Sequence, residues 1–292
     1  MCFPMAKKKK ARTASKPAKA AAPKKKAPPP KRSAKKPPRK KYQTNFLSKV
    51  IARVDFSPAL EIKEGEPPQI VPKLRARFPG SELQVSAHQK IELSDTGNEA
   101  GTKFSVERKH HWQFHGKNRD RYLEVTQNAV LVNYEAYESF ERLRDDFLPM
   151  VEHILGDVDG LRIHRLGLRY VDSIELKESK PTEWQTYLKG DLLTSFNLAD
   201  DAKTISRAFN VIEFNYGDDM QLRFQYGMPN PDFPAPIKKK LFILDWDAYA
   251  AGVSLGLNDI ENYLDHFHEK INSSFEEVIT DNLRKKMGVI NG

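Results

Sequence analysis

Residues 161–176 read LRIHRLGLRYVDSIEL, and their pattern decides the class of fold. Leu166, Leu168 and Tyr170 alternate with Arg165, Gly167 and Arg169. A period of two belongs to a β-strand with one face in a core and the other toward water. The stretch is a long strand, well beyond the usual length of about 5 or 6 residues. On its N-terminal side, 46–56 (FLSKVIARVDF) also reads as a strand, and Pro67-Pro68 opens a short helix to about Phe78, stopped by Pro79-Gly80. Leu83, Val85 and Ala87 alternate, as do Phe104, Val106, Arg108, His110, Trp112 and Phe114. Arg121–Val125 and Ala129–Tyr134 form a hairpin around Gln127-Asn128. The stripe Phe140, Leu143, Phe147, Val151, Ile154 and Leu155 predicts a helix, which Pro149 should kink.

On the C-terminal side, Thr182 is expected to cap a short helix through Leu193, followed by strands at about 203–215, 219–227 and 240–247. Asn258 then caps a long C-terminal helix with its stripe at Ile260, Tyr263, Leu264, Phe267, Ile271, Phe275, Val278, Ile279, Leu283 and Met287. The predicted fold is α+β: a mostly antiparallel sheet in two pseudo-repeats of strand, helix, strands, helix, with one strand fewer in the second. That order resembles the duplicated saddle of TATA-binding proteins, at the level of element order alone.

Charge divides the chain of 292 residues in two. Residues 1–45 hold 17 Lys or Arg and no Asp or Glu. Of the 48 basic residues, 31 therefore remain to face 39 acidic ones, so the body 46–292 carries −8 and the arm +17. Eight of the 19 prolines lie before Tyr42. Like charges repel, proline blocks helix, and little apolar area is there to offset backbone entropy, so the arm is expected to be unstructured. Its clusters are Lys7, Lys8, Lys9 and Lys10; Lys24, Lys25 and Lys26; Lys31 and Arg32; Lys35 and Lys36; and Arg39, Lys40 and Lys41, spaced by Ala and Pro. Such a segment binds phosphate polymers by counterion release, which needs charge density and no base contacts. DNA or RNA is the expected partner, bound without sequence preference.

One cysteine, Cys2, excludes an internal disulfide framework and a cysteine-based zinc site. The opening MCFPMAKKKK has no apolar run of signal-peptide length, and Met5 begins the more ordinary start MAKKKK. No stretch has the apolar length of a membrane span. A cytoplasmic protein associated with the nucleoid is expected, with no cofactor and no membrane contact.

The histidine spacing argues against a metal site. His110 and His111 are adjacent on a strand and face opposite ways, and His111 and His115 stand about 13 Å apart at strand rise. His266 and His268 diverge on a helix by about 200°. Residues 216–219, YGDD, resemble the metal-binding turn of RNA-dependent polymerases, which needs a second aspartate; Asp172 is the candidate, and a Gly-Asp hairpin turn is the plainer reading. Asp245 and Asp247 share one face of a strand and suit a cation or a turn. Arg165 and Arg169 flank Gly167 on one strand face, a pairing that suits a phosphate or, more plainly, surface ion pairs. The run 108–122 (RKHHWQFHGKNRDRY) interleaves bases with aromatics, as nucleic-acid surfaces and amphipathic strands both do. There is no Walker loop, nucleophile elbow or dinucleotide fingerprint. An interaction domain with a protein partner is therefore expected for the body; the alternative is an enzyme on a phosphorylated or nucleic-acid substrate, using Arg165, Arg169 and Asp172.

The order of HWQF (111–114), VNYEAYESFERL (132–143), LRIHRLGLRYVDSIEL (161–176), LFILDWDAY (241–249) and LDHFHEKINSSFEEVITDNLRKKM (264–287) resembles a sporadically distributed bacterial family of about 250 residues. Its marks are a G-L-R-Y strand, here Gly167–Tyr170, and a closing helix. The resemblance covers about 46–287, implies a bacterial cytosolic protein, assigns no activity or catalytic residue, and leaves the basic arm outside.

Overall fold

The computed structural model describes residues 41–65, 67–96, 99–178, 180–217 and 219–290. In chain order the elements are β1 (Lys41–Tyr42), β2 (Leu47–Ser57), α1 (Pro72–Arg75), β3 (Gly80–Thr96), β4 (Glu99–His115), β5 (Arg121–Val125), β6 (Ala129–Tyr134), α2 (Phe140–Leu155), β7 (Arg162–Leu176), β8 (Ala208–Gly217), β9 (Met220–Met228), β10 (Lys240–Leu255), α3 (Ile260–Val278), α4 (Asp281–Met287) and β11 (Val289–Ile290). Nine strands make one antiparallel sheet in the order β3-β4-β5-β6-β2-β7-β10-β9-β8. β1 and β11 pair separately. The fold is thus α+β with a large antiparallel sheet and a long helix near the C-terminal end.

Alternation explains the layering. In β7 Leu166, Leu168, Tyr170 and Ile174 are buried, and Val50, Ala52, Val54 of β2 and Phe242, Trp246, Ala248 of β10 match them across the ladders. Helices α2 and α3 pack on this face, α2 against β6 and β2 and α3 against β7 and β10. The helix stripes read in the sequence supply the contact: Phe140, Leu143, Phe147, Val151 and Leu155 from α2, Ile260, Leu264, Phe267 and Ile271 from α3. Between them, Phe140 stacks on His268 at 3.9 Å, and the His268 ring nitrogen Nδ1 hydrogen-bonds the Tyr170 hydroxyl at 2.8 Å. At full burial each large apolar side chain adds roughly 1.5–3 kcal/mol, so this face holds the domain together.

A buried ion cluster ties the first half to α2. Pro149 lies inside α2 and has no N–H to give the Asp145 carbonyl one turn back. Arg77 Nη2 reaches that carbonyl at 3.4 Å. Arg77 also pairs with the fully buried Asp146, which accepts a hydrogen bond from the Tyr134 hydroxyl and lies 3.8 Å from both Arg121 Nε and Arg142 Nε.

Several expectations are corrected. The helix expected from Pro67 is only α1, because Pro72 marks its first turn and Pro67-Pro68 lie outside any helix. Thr182 caps no α-helix: 181–187 run as turns and 190–198 form a 3₁₀ segment. The long closing helix breaks at Ile279, which is extended at φ −94° and ψ 156° and bridges Leu188. Thr280 N–H donates to the Tyr187 carbonyl at 3.0 Å, and its hydroxyl caps α4. The described residues begin at Lys41, inside the stretch that composition assigns to the arm, and there β1 pairs with β11. Trp112 is a core residue, 8% exposed, with its indole N–H on the Lys63 carbonyl at 3.0 Å. It offers no stacking platform.

Candidate functional site

The face of the sheet opposite α2 and α3 is the candidate surface. Its side chains come from the alternate positions of the central strands: Lys49, Ile51, Arg53 and Asp55 of β2, Arg165 and Arg169 of β7, Asp245, Asp247 and Tyr249 of β10, and Arg223 of β9.

Here the sequence candidates find their partners. Arg165 Nη2 donates to both Asp247 oxygens at 2.9 and 2.8 Å, and Arg169 forks onto Asp245 with Nε 2.8 Å from Oδ1 and Nη2 2.6 Å from Oδ2. Register shows why. Arg169 lies opposite Asp247 and Val171 opposite Asp245, so each guanidinium must run along its own strand to reach its carboxylate. Gly167 is the gap that allows it: a Cβ there would stand 2.6 Å from Arg165 Nη1. Tyr249, opposite Gly167, holds its ring 4.9 Å from the Arg165 guanidinium carbon. The glycine thus serves the arginine, and the two forks read as an anion site are filled by the protein's own carboxylates. The Asp245 hydrogen bond raises the Arg169 pKa further above its already high ordinary value.

Gly167→Ala is expected to displace the Arg165 fork and lower stability by roughly 0.5–2 kcal/mol. Thermal melts check it in a cycle with Arg165→Ala: in that background the alanine has no guanidinium to strike, so its effect should largely vanish.

Toward β4 the surface changes character. Asn133 of β6 sits opposite Ile51 and Tyr122 and is 1% exposed, and its amide oxygen and nitrogen both lack a hydrogen-bond partner among the described residues. An unpaired buried amide costs about 1–3 kcal/mol, which sets this position apart from the self-paired charges beside it. Composition alone gave no sign of it, since Asn133 lies in the run AVLVNY and only the register places it on the open face. Next in the same row His115 lies 5.8 Å from the Tyr122 ring, with Nε2 3.3 Å from Glu82.

Other candidates are separated. Asp172 is 4% exposed on the helix-covered face, opposite Leu47 and Leu244, so it does not join Arg165 and Arg169. Met220, next to the 216–219 turn, is level with Leu166, six residues along β7 from Asp172, a separation of about 20 Å at strand rise. Asp218 lies outside the described residues, and among the described ones Asp219 does not come together with Asp172. Asp219 takes φ 63° and Gly217 φ 74°, as a tight hairpin turn requires. Among the described residues no three His, Cys, Asp or Glu side chains form a metal-binding group. The arm residues from Lys7 to Lys40 lie outside the described residues, and Lys41 stands in β1.

Two shallow hollows open to solvent flank the sheet. One, of about 440 Å³, contains Glu82, held by Arg119 at 2.6 Å, whose hydrogen bond lowers the carboxyl's pKa. The other, of about 430 Å³, contains Glu178, bound by Lys240 at 2.8 Å and by the Tyr187 hydroxyl; the Lys240 hydrogen bond leads the effects that bring its pKa to about 2. Lys240 itself is 5% exposed beneath Trp184 and Tyr187. Both carboxylates are locked in ion pairs, a poor starting point for acid–base chemistry near neutral pH.

The fold and surface define an α+β domain with one packed and one open sheet face. No helix among the described residues is long and apolar enough to cross a membrane. No protein-family model, curated protein or solved structure matches the chain.

Proposed function

We propose that this protein is a non-enzymatic binding module, held on DNA or RNA without sequence preference by residues 1–40, while the body engages a protein partner. The observation that carries the reading is the partition of charge, +17 in residues 1–45, of which 16 lie in residues 1–40, against −8 in residues 46–292. Phosphate polymers repel the body at long range and attract the arm. The filled forks of Arg165 and Arg169 support it, since the body's best-placed guanidiniums already hold carboxylates. Against the enzyme reading stands the placement of Asp172 on the face opposite those arginines. A cytoplasmic setting near the nucleoid goes with this proposal.

The body's sheet also reads as two halves. Outward from the centre, β2 is followed by β6, β5 and β4, and β7 by β10, β9 and β8; the strands next to the centre, β6 and β10, lead into α2 and α3. β3 has no counterpart on this reading and would be the extra strand of the first half.

Binding of the full chain to duplex DNA is expected to weaken with salt at a log–log slope of roughly −5 to −9, for about 6 to 10 phosphates neutralised. Deleting residues 1–40 should reduce affinity near 0.15 M salt on the order of 100-fold or more. Fluorescence anisotropy on duplexes of unrelated sequence measures both. Undiminished binding by the truncated body, with a shallow salt slope, would place the affinity on the sheet surface and overturn the proposal.

A further inference from the structure

The strand β8, AFNVIEFNYG, is rich in β-branched and aromatic residues and contains no proline and no lysine. It is the outermost strand: it pairs with β9 on one side and, among the described residues, with nothing on the other. An edge strand turns alternate N–H and C=O groups outward, and soluble proteins blunt such edges with charge, proline, bulges or a covering segment. Here the edge is apolar instead. Phe209, Val211, Ile212, Phe214 and Tyr216 are 43, 50, 42, 36 and 43% exposed, five of the nine exposed large apolar residues among those described, so the exposure is concentrated on this strand. Phe209 and Val211 lie on the open face of the sheet; Ile212, Phe214 and Tyr216 lie on the helix face. The aromatics are held in place, with Phe214 and Tyr216 stacked at 5.9 Å and Lys270 of α3 4.0 Å from the Tyr216 ring centre. The strand's one charge, Glu213, faces Arg223 of β9 at 3.8 Å.

We propose that β8 pairs antiparallel with β8 of a second copy of this chain, joining two nine-stranded sheets across a two-fold axis normal to the sheet. The edge backbone needs an extended strand, and the apolar residues on both faces need a partner that continues both faces. A second sheet does so, setting Ile212 against its own copy and Tyr216 against Ala208 of the other chain. The basic arm does not: it offers lysine and proline to an edge that is apolar and internally neutralised, and proline has no N–H for the ladder. Symmetry fixes the register. Opposed residues must lie on the same face, so the axis passes through a residue. Centred on Glu213 it would set two carboxylates face to face; centred on Val211 it would leave Asn215, Tyr216 and Gly217 without partners in the strand. Centred on Ile212 it sets Val211 against Glu213, Phe214 against Asn210, Phe209 against Asn215 and Tyr216 against Ala208, the longest ladder without like charges opposed.

The test uses the full chain at about 10–50 µM in about 0.3 M salt, where arm–body attraction is screened. Light scattering after size exclusion should give twice the 33.5 kDa chain mass. Ile212→Lys sets two cations directly opposite each other across the axis and should weaken dimerisation at least tenfold, with an unchanged melting profile showing that the fold persists. In a Cys2→Ser background, Ile212→Cys should cross-link to a covalent dimer under mild oxidation, and Val85→Cys on the opposite edge should not. A monomer at every concentration overturns the proposal. So does a dimer that survives Ile212→Lys and fails to cross-link through cysteine at position 212.

Discussion

Replacing Asp146 by asparagine is expected to destabilise the domain by roughly 3–5 kcal/mol, a loss on the order of 10 °C in melting temperature for a body of this size. Asp146 is fully buried at the junction of α2 with β6, and Arg77, Arg121 and Arg142 all approach its oxygens. Arg121 is only 11% exposed in its side chain and also lies 5.6 Å from the Phe78 ring centre and 5.7 Å from that of Tyr134. Removing the carboxylate's charge leaves these cations partly desolvated, with Glu138 at 2.8 Å from Arg121 as compensation at the rim only. Burial is the largest influence on the Asp146 carboxyl and raises its pKa despite the surrounding guanidiniums. Desolvation of this order is what makes a broken buried pair costly. Denaturant unfolding of Asp146→Asn and of Arg144→Ala, whose partners Glu261 and Asp265 are more exposed, gives the comparison. The exposed pair should matter by about 1 kcal/mol or less; equal losses would refute the buried-cluster account.

The opposite result is expected at Asp172, where removing a carboxylate should stabilise. Burial alone pushes its pKa from 3.8 to about 8. The folded protein therefore keeps a proton that the unfolded chain has lost between about pH 4 and 8, and across this window stability falls as pH rises. Above pH 8 the folded state holds a charged carboxylate among the apolar side chains of β2, β7 and β10. From pH 5 to 9 this one group should remove roughly 3–5 kcal/mol of stability. Asp172→Asn keeps the shape without the titration, so its advantage over the unchanged protein should be small at pH 5 and grow to on the order of 10 °C by pH 9. Melting curves across that range suffice; parallel pH profiles for the two proteins would sink the idea.

Much of the sheet was legible because strand alternation is a local property. The 161–176 pattern put Leu166, Leu168 and Tyr170 inside, and the structure buries all three. The hairpin around Gln127-Asn128 was likewise readable from its turn residues, with the Ala129 N–H on the Thr126 hydroxyl at 2.8 Å. Features set by distant segments were not. The break at Ile279 depends on bonds to Tyr187 and Leu188, about ninety residues away in the chain. An apolar stripe at helical spacing runs straight through it, although Thr280 is of a residue type that caps helices. On the open face, the arginines and aspartates were each visible as strand residues facing one way. Their pairing was not, because it depends on which strands are neighbours and in what register. Asn133 was hidden for the same reason.

The root of the basic segment has a mechanical meaning. Lys41 and Tyr42 are clamped to Ile290 and Val289, and the Tyr42 hydroxyl donates to Glu276 of α3. From there the chain enters β2, bonded on both sides by β6 and β7. If residues 1–40 hold a polymer as proposed, tension on them reaches the short clamp first. It then pulls the middle strand along its own length, so that the cross-strand bonds on both flanks share the load and resist in shear; an edge strand such as β8, pulled sideways, would surrender them one by one. A tether rooted in the centre of the sheet can thus carry force while the exposed edge and the open face keep their shape.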